Sequence, residues 1–185
     1  MTDTEKKFVN SYNPATGELL GKYGVHTIEE VKEIISKAKE KQTKWCNVPL
    51  KEKIQFLYKV RQFLVDNIDS IAQAISKDNG KTINDAMATE VLPSIMSISY
   101  YCKNAKKFLK TKKLSAGNLL LINKRSRINK LPYGVIGIIS PWNYPFSIPF
   151  SEVVMGLLAG NTVVLKVASN TQMVGQKIKE CFEFA

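Results

Sequence analysis

Two side chains in this sequence have the type and setting to do chemistry: Asn143, inside GIISPWNYPFSIPF, and Lys166, at the end of the apolar run NTVVLKV. A side-chain amide held by a turn built on Pro141 and Pro145 can donate to an oxyanion developing on a carbonyl substrate. The same amide can equally bond its own turn backbone. Lys166 closes a strand-like run, so its stem would be packed while its ammonium reaches a crevice, where a fixed cation suits ribose hydroxyls or a phosphate; a lysine so placed can also simply reach out to water. Other chemistries find little support. His26 is the only histidine, and Cys46, Cys102 and Cys181 are widely separated with no C-x-x-C pair. A disulfide framework, a zinc or other metal site and a histidine-based triad are therefore not expected.

These two residues need elements to position them. GVIGIIS, glycine-punctuated and uncharged, reads as a buried strand, SEVVMGLLAG as a helix packed closely through its glycines, NTVVLKV as a second buried strand, and SNTQMVGQKIKECFEFA as a helix opened by a Ser/Asn/Thr cap. Strand, helix, strand, helix is the βαβ pattern of an open parallel sheet, in which ligands sit beyond the carboxyl ends of the strands, beside helix N-termini. SPWN and KVASN both fall there. Trp142, Tyr144 and Phe146 belong to the core or to the crevice wall.

Upstream the pattern is helical. YNPATGELLGKYGV gives a turn at Pro14 to Gly17 and a strand from about Glu18 to Val25. Thr27 and Glu30 have capping-box spacing, and Ile28, Val31, Ile34, Ile35 and Ala38 then recur at helical intervals to about Gln42. A second helix carries Ile54, Leu57, Tyr58, Phe63, Leu64 and Val65. A third carries Ile68, Ile71, Ala72 and Ile75 and stops at Asn79-Gly80. Another helical region runs from about Ile83 to Leu109, adjusted at Pro93. LSAGNLLLINKRSRINKLPYG, with an Ala-Gly-Asn turn and alternation through Arg125, Arg127 and Asn129, reads as a hairpin.

The 185 residues, 44% hydrophobic and 23% charged, describe an ordinary globular chain with a proper core. No apolar run approaches the roughly 18 residues of a membrane span, and MTDTEKKF has no hydrophobic signal core, so a cytoplasmic protein without membrane attachment is expected. Of the +11 net charge, ten cations and no acid fall between Val91 and Ser151. No nucleic-acid module or stacking aromatics accompany that band; it reads as a solvated helix face and a lysine-guarded sheet edge, with no nucleic-acid partner.

LPYGVIGIISPWNYPFSIPFSEVVMGLLAGNTVVLKVASNT closely resembles the part of the aldehyde dehydrogenase superfamily in which a P-W-N-[FY]-P turn precedes A-G-N-T-V-V-L-K by some twenty residues. YNPATGELL, the helical run and DNGKT resemble that family's N-terminal region, so the likeness spans essentially the whole chain. It implies an α/β fold: a helix-rich region over 1–133 with a basic, oligomerisation-type hairpin at about 111–131, then the first half of a Rossmann-like dinucleotide-binding domain over 134–185, its sheet incomplete. It makes Asn143 the oxyanion-hole amide, lines the nicotinamide side of NAD or NADP with Ile139, Ser140, Pro141 and Trp142, and gives Lys166 the adenosine ribose or a 2′-phosphate. Ser169 stands where many members carry a glutamate to the same ribose. Without that carboxylate to repel a 2′-phosphate, the choice between NAD and NADP stays open.

In the family the nucleophilic cysteine, the general-base glutamate, the pyrophosphate turn and the aldehyde-binding catalytic domain lie beyond the point matching Ala185, and the last helix reaches Ala185 with no stop signal. Cys181 matches no nucleophile motif. The reaction the resemblance implies is thiolate attack on an aldehyde, hydride transfer from the thiohemiacetal to NAD(P), then hydrolysis of the thioester. The chain is expected to be an N-terminal fragment, inactive alone, acting as a homo-oligomer or beside the missing half. The alternative is a non-catalytic module that pairs with a full-length homologous subunit.

Overall fold

A computed structural model describes residues 7–115 and 117–185, apart from the side chain of Leu121. Met1 to Lys6, including most of MTDTEKKF, and Ala116 of the expected Ala-Gly-Asn turn lie outside the described residues. β1 (Phe8–Tyr12), which sequence periodicity does not announce, pairs antiparallel with β2 (Leu19–Gly24) around the expected Pro14 turn. The register shifts between Ser11 and Tyr12, and Ser11 is buried. A bulge of this kind re-aims a side chain, and here the Ser11 hydroxyl donates to the carboxylate of Asp78.

Three helices follow: α1 (Ile28–Trp45), α2 (Leu50–Asp66) and α3 (Ile68–Asn79). The Thr27/Glu30 capping box forms as expected, Thr27 N donating to Glu30 Oε2 at 2.8 Å and Glu30 N to Thr27 Oγ1 at 3.2 Å. The apolar face of α1 nevertheless has no buried residue, and Ile28 is 70% exposed. The helix is held instead by polar bonds to the later part of the chain: Thr162 Oγ1 donates to Ala38 O (2.9 Å) and Trp45 Nε1 to Leu157 O (2.9 Å). Helix α3 ends where Asn79-Gly80 predicts, with Gly80 at φ 83° and its N–H on Ser76 O.

The expected helical region after it is not one regular helix. α4 (Ile83–Ala86) runs into a π turn (Met87–Val91) and then α5 (Leu92–Leu109). Pro93 is the reason: its ring clashes with the carbonyl four residues back and it has no N–H to offer. A wider turn, in which Leu92 N bonds Met87 O, accommodates it. The same turn rotates Glu90 inward, and Glu90 is fully buried.

The basic hairpin is shorter than its sequence suggests. β3 (Lys112–Leu114) pairs with β4 (Ser126–Ile128), and a short 3₁₀ turn at Leu119–Leu121 lies between them. The βαβ unit forms as read: β5 (Val135–Ile139), α6 (Ser147–Leu158), β6 (Thr162–Lys166) and α7 (Gln172–Phe184), with β5 and β6 parallel and Ile139 opposite Lys166. Helix α6 starts four residues before the expected Ser151, because Pro149 sits in its first turn, where its missing N–H would have had no intrahelical partner. A Cβ on Gly156 would lie 3.0 Å from Val163 Cγ2, so glycine sets the spacing between α6 and β6. The core lies mainly between helices, where Leu57, Val60 and Leu64 of α2, Ile71 and Ile75 of α3 and Ile98 of α5 meet Phe146, Phe150 and Val154 at α6 and Val174 and Ile178 of α7.

Gly80 is the joint on which this packing turns, and a Cβ there would lie 2.8 Å from Pro14 Cγ. Gly80→Ala is expected to lower stability by about 1–2 kcal/mol from the left-handed backbone alone, read as a lower denaturant midpoint with an unchanged m-value. A midpoint equal to that of the native chain would contradict this account.

Candidate active-site crevice

The carboxyl ends of β5 and β6 bring the candidate residues together. Ile139 and Lys166 are the last residues of their strands and register partners, and Ser140 N donates to Lys166 O at 3.0 Å. The PWN turn leaves β5 beside Lys166, and Ser169 follows in the β6–α7 turn. Ile139 is 82% exposed and Trp142 63%, while Asn143, Lys166 and Ser169 are also exposed. Pro141 is half-buried. Ser140 is buried, with its hydroxyl donating to Pro141 O (3.1 Å). That hydroxyl is therefore committed to the turn, and what Ser140 presents to a ligand is backbone.

The Asn143 amide does not bond its own turn: among the described residues its side chain has no hydrogen-bond partner, and it is a free donor on an exposed bend. The bend is held from outside. Asn79 Nδ2 donates to Trp142 O at 2.9 Å, Lys81 Nζ donates to Asn143 O at 2.8 Å, and the Lys81 ammonium stands 4.0 Å from the centre of the Tyr144 ring. Lys81 also pairs with the buried carboxylate of Glu90. The other oxygen of Glu90 accepts from Phe146 N (2.7 Å) and Ser147 N (3.2 Å). Neither α6 nor α7 has a side-chain cap of its own. Glu90 supplies the acceptor for α6, and Asp78 supplies it for α7 by accepting from Val174 N at 2.9 Å. Both place a carboxylate where the exposed N–H groups and dipole of a helix start favour negative charge.

Sequence reading missed this pair of carboxylates. The local signal is DNGKT, which reads as a helix stop, followed by a lone Glu inside an apolar helical stretch. Burial raises the carboxyl pKa of Asp78 above its ordinary value, against the lowering effect of its bonds from Ser11, Val174 and Met173. A carboxyl with a raised folded-state pKa favours the protonated form in the native state, so its contribution is fullest below the ordinary value near 3.8 and is lost as pH rises through the raised one. The native chain should therefore gain stability relative to Asp78→Asn as pH falls through the acidic range, measured by urea melts at stepped pH. A constant difference would remove Asp78 as the source.

Cys102 and Cys181 make no nucleophilic centre. Burial pushes the Cys102 thiol up to about 11 and that of Cys181 to about 12, and Cys181 Sγ bonds Lys177 O. A thiol so raised holds almost no thiolate at neutral pH. Among the described residues no group of three or more His, Cys, Asp or Glu could hold a metal ion, and no helix is long and apolar enough to cross a membrane. In the folded chain a thiol reagent at neutral pH is expected to modify the half-buried Cys46 and spare Cys102 and Cys181, with all three reacting in denaturant; native-state labelling of Cys181 would refute the burial argument.

The β5–α6–β6 unit with the PWN turn at its carboxyl edge is the arrangement of an open parallel α/β sheet, and comparison with known proteins gives the family. The aldehyde dehydrogenase family model matches residues 1–185, and the chain belongs to that family. It is 32% identical over 174 residues to the 4,4'-diapolycopene aldehyde oxidase of a Methylomonas species, covering 94% of this chain and 33% of that protein. It is 30% identical to the α-ketoglutaric semialdehyde dehydrogenase of Bacillus subtilis, covering 94% of this chain and 35% of the relative. Its structure superposes with TM-score 0.87 on the succinic semialdehyde dehydrogenase of Streptococcus pyogenes in complex with NADP+, at 26% identity over 95% of this chain and 37% of that one. The NADP-dependent glyceraldehyde-3-phosphate dehydrogenase of Bacillus halodurans, complexed with NADP, gives TM-score 0.86 at 27% identity over 96% and 37%. The chain thus spans about a third of the length of the relatives it matches.

Proposed function

We propose that this chain supplies the oxyanion donor and the first half of the NAD(P) site of an aldehyde dehydrogenase, and that it does not oxidise aldehydes by itself. The observation that carries the reading is the unpartnered Asn143 amide, standing on a turn clamped at the carboxyl end of β5. An amide whose peptide is already fixed can donate to an oxygen as negative charge develops on it, with little reorganisation at the moment of reaction, and one such donor accounts for roughly 10²–10³ in rate.

The exposed surface fits the cofactor. Ile139 and Trp142 present apolar area beside Pro141 where the nicotinamide would lie, with the Ser140 backbone between them, and the exposed Lys166 and Ser169 would be offered to the adenosine ribose or its 2′-phosphate. A cofactor held there would supply the hydride acceptor of the reaction. Lys166 is a cation with nothing acidic beside it in KVASN, and the hydroxyl of Ser169 tolerates either ribose form, so the choice between NAD and NADP is open here. The α6 N-terminus is closed to phosphate by the Glu90 carboxylate, and the cofactor diphosphate falls to segments of the family fold that follow this part. The substrate is an aldehyde, whose carbonyl oxygen would face Asn143. The thiolate that attacks its carbon must come from outside this chain's buried thiols.

A second reading rests on the exposed apolar surface. Ile28, Leu119, Leu120 and Tyr133 are 70%, 84%, 87% and 96% exposed, and the two-stranded parallel sheet keeps unpaired edges. That surface suits pairing with a full-length homologous subunit, or with the remaining part of the family fold, in the cytoplasm. The purified chain, given NAD or NADP and a panel of semialdehydes, is expected to form no NAD(P)H. Aldehyde-dependent NAD(P)H formation by the chain alone would overturn the assignment of the nucleophile elsewhere, and failure to co-purify with a full-length homologue would remove the second reading.

A further inference from the structure

We propose that Lys81 and Asn79, with Glu90 behind them, are the positioning residues of the Asn143 amide. The inference rests on the reading of Asn143 as the oxyanion donor and adds what aims it. A side chain leaves its Cα in a direction set by the two peptide planes that flank it. For Asn143 those planes carry the carbonyls of Trp142 and of Asn143 itself, and each is tied to a separate side chain: Trp142 O accepts from Asn79 Nδ2 (2.9 Å) and Asn143 O from Lys81 Nζ (2.8 Å). With both planes oriented, the Cα–Cβ bond of Asn143 has one direction.

The turn cannot do this for itself. Pro141 and Pro145 have no N–H, the Ser140 hydroxyl is spent on Pro141 O, and α6 has no side-chain cap. Anchoring comes from the end of α3, where Gly80, in the left-handed conformation, separates Asn79 from Lys81 while both side chains reach the same bend. The Lys81 ammonium is fully used. It meets Glu90, the Asn143 carbonyl and the Tyr144 ring face, so it is both neutralised and directional. Glu90 closes the far end of the bend by accepting from Phe146 N and Ser147 N. Three side chains from outside the βαβ unit therefore hold four backbone groups between Trp142 and Ser147, and they leave the Asn143 amide itself untouched.

The test uses the whole ¹⁵N-labelled chain and reads the Asn143 side-chain NH₂ pair and the two indole N–H signals, Trp142 in the bend and Trp45 bonded to Leu157 O elsewhere. Lys81→Met and Asn79→Ala are expected to broaden or double the Asn143 and Trp142 signals while the Trp45 indole and the far-ultraviolet circular dichroism stay unchanged. Lys81→Arg, which can still donate to both Glu90 and the Asn143 carbonyl, should restore single sharp signals. A merely structural role would move Trp45 together with Trp142, or neither. Should Lys81→Met not fold, Asn79→Ala decides alone, since it removes only the Trp142 tether. Single sharp Asn143 signals in the folded variants overturn the proposal. The measurement reads placement of the amide and not chemistry, so a positive result stands even if Asn143 proves not to act on an aldehyde.

Discussion

The ion pair between half-buried Lys81 and fully buried Glu90 ties the end of α3 to the PWN bend and the start of α6. Glu90 has no exposure to solvent, and a carboxylate in that setting is costly unless paired and hydrogen-bonded. It is both: Lys81 on one oxygen, two α6 backbone amides on the other. Such a pair adds little net stability compared with an apolar replacement, but removing one partner leaves a buried charge uncompensated, at about 3–5 kcal/mol. The interaction is therefore better understood as a specification of geometry than as a source of stability. It says where α6 begins relative to the end of α3, and with that where the PWN turn sits.

The second carboxylate repeats the scheme. Asp78 joins β1, through the Ser11 hydroxyl, to the first turn of α7; the hydroxyl of Thr171, just before that helix, is buried with no partner among the described residues. Two consecutive helices of a parallel α/β unit thus receive their N-terminal acceptors from the helical region upstream. Helix starts at the carboxyl edge of such a sheet are usual places for a ligand phosphate. Here protein carboxylates occupy both, and the side chains left exposed along that edge are those of the strand ends and the bend: Ile139, Trp142, Asn143, Lys166 and Ser169.

The exposed surface has the same origin. The core lies between the helices, so the β5–β6 pair and the apolar face of α1 are left half covered. In relatives about three times the length of this chain, the matched region is one part of a larger fold. This chain exposes large apolar side chains, Leu119, Leu120 and Tyr133 among them, and among the described residues β5 and β6 pair only with each other.

Much of this was legible in the residues. Capping boxes, an Asn-Gly stop and short uncharged β-branched runs act over a few positions, and they specified α1, the end of α3, and the parallel β5–α6–β6 unit close to their observed limits. Where Pro93 and Pro149 intervene, the sequence announces a perturbation, but whether it becomes a π turn or a proline-led first helical turn depends on what packs nearby. The polar network was not legible at all. Glu90 reads as one acid in a helical stretch, and Lys81 as the residue after a helix stop, because their partners in the bend lie 56 and 62 positions away and no local pattern encodes that distance. Likewise, the spacing of α1's apolar residues gave a correct helix and an incorrect core face. Periodicity reports that a face could be buried, and only the tertiary arrangement supplies or withholds the surface that buries it. The sequence alone determined that an amide follows Pro141 in a turn after a buried strand; only the folded chain decided that this amide would stand free, since long-range side chains bond the backbone of the bend at Trp142 O, Asn143 O, Phe146 N and Ser147 N and leave the amide itself out.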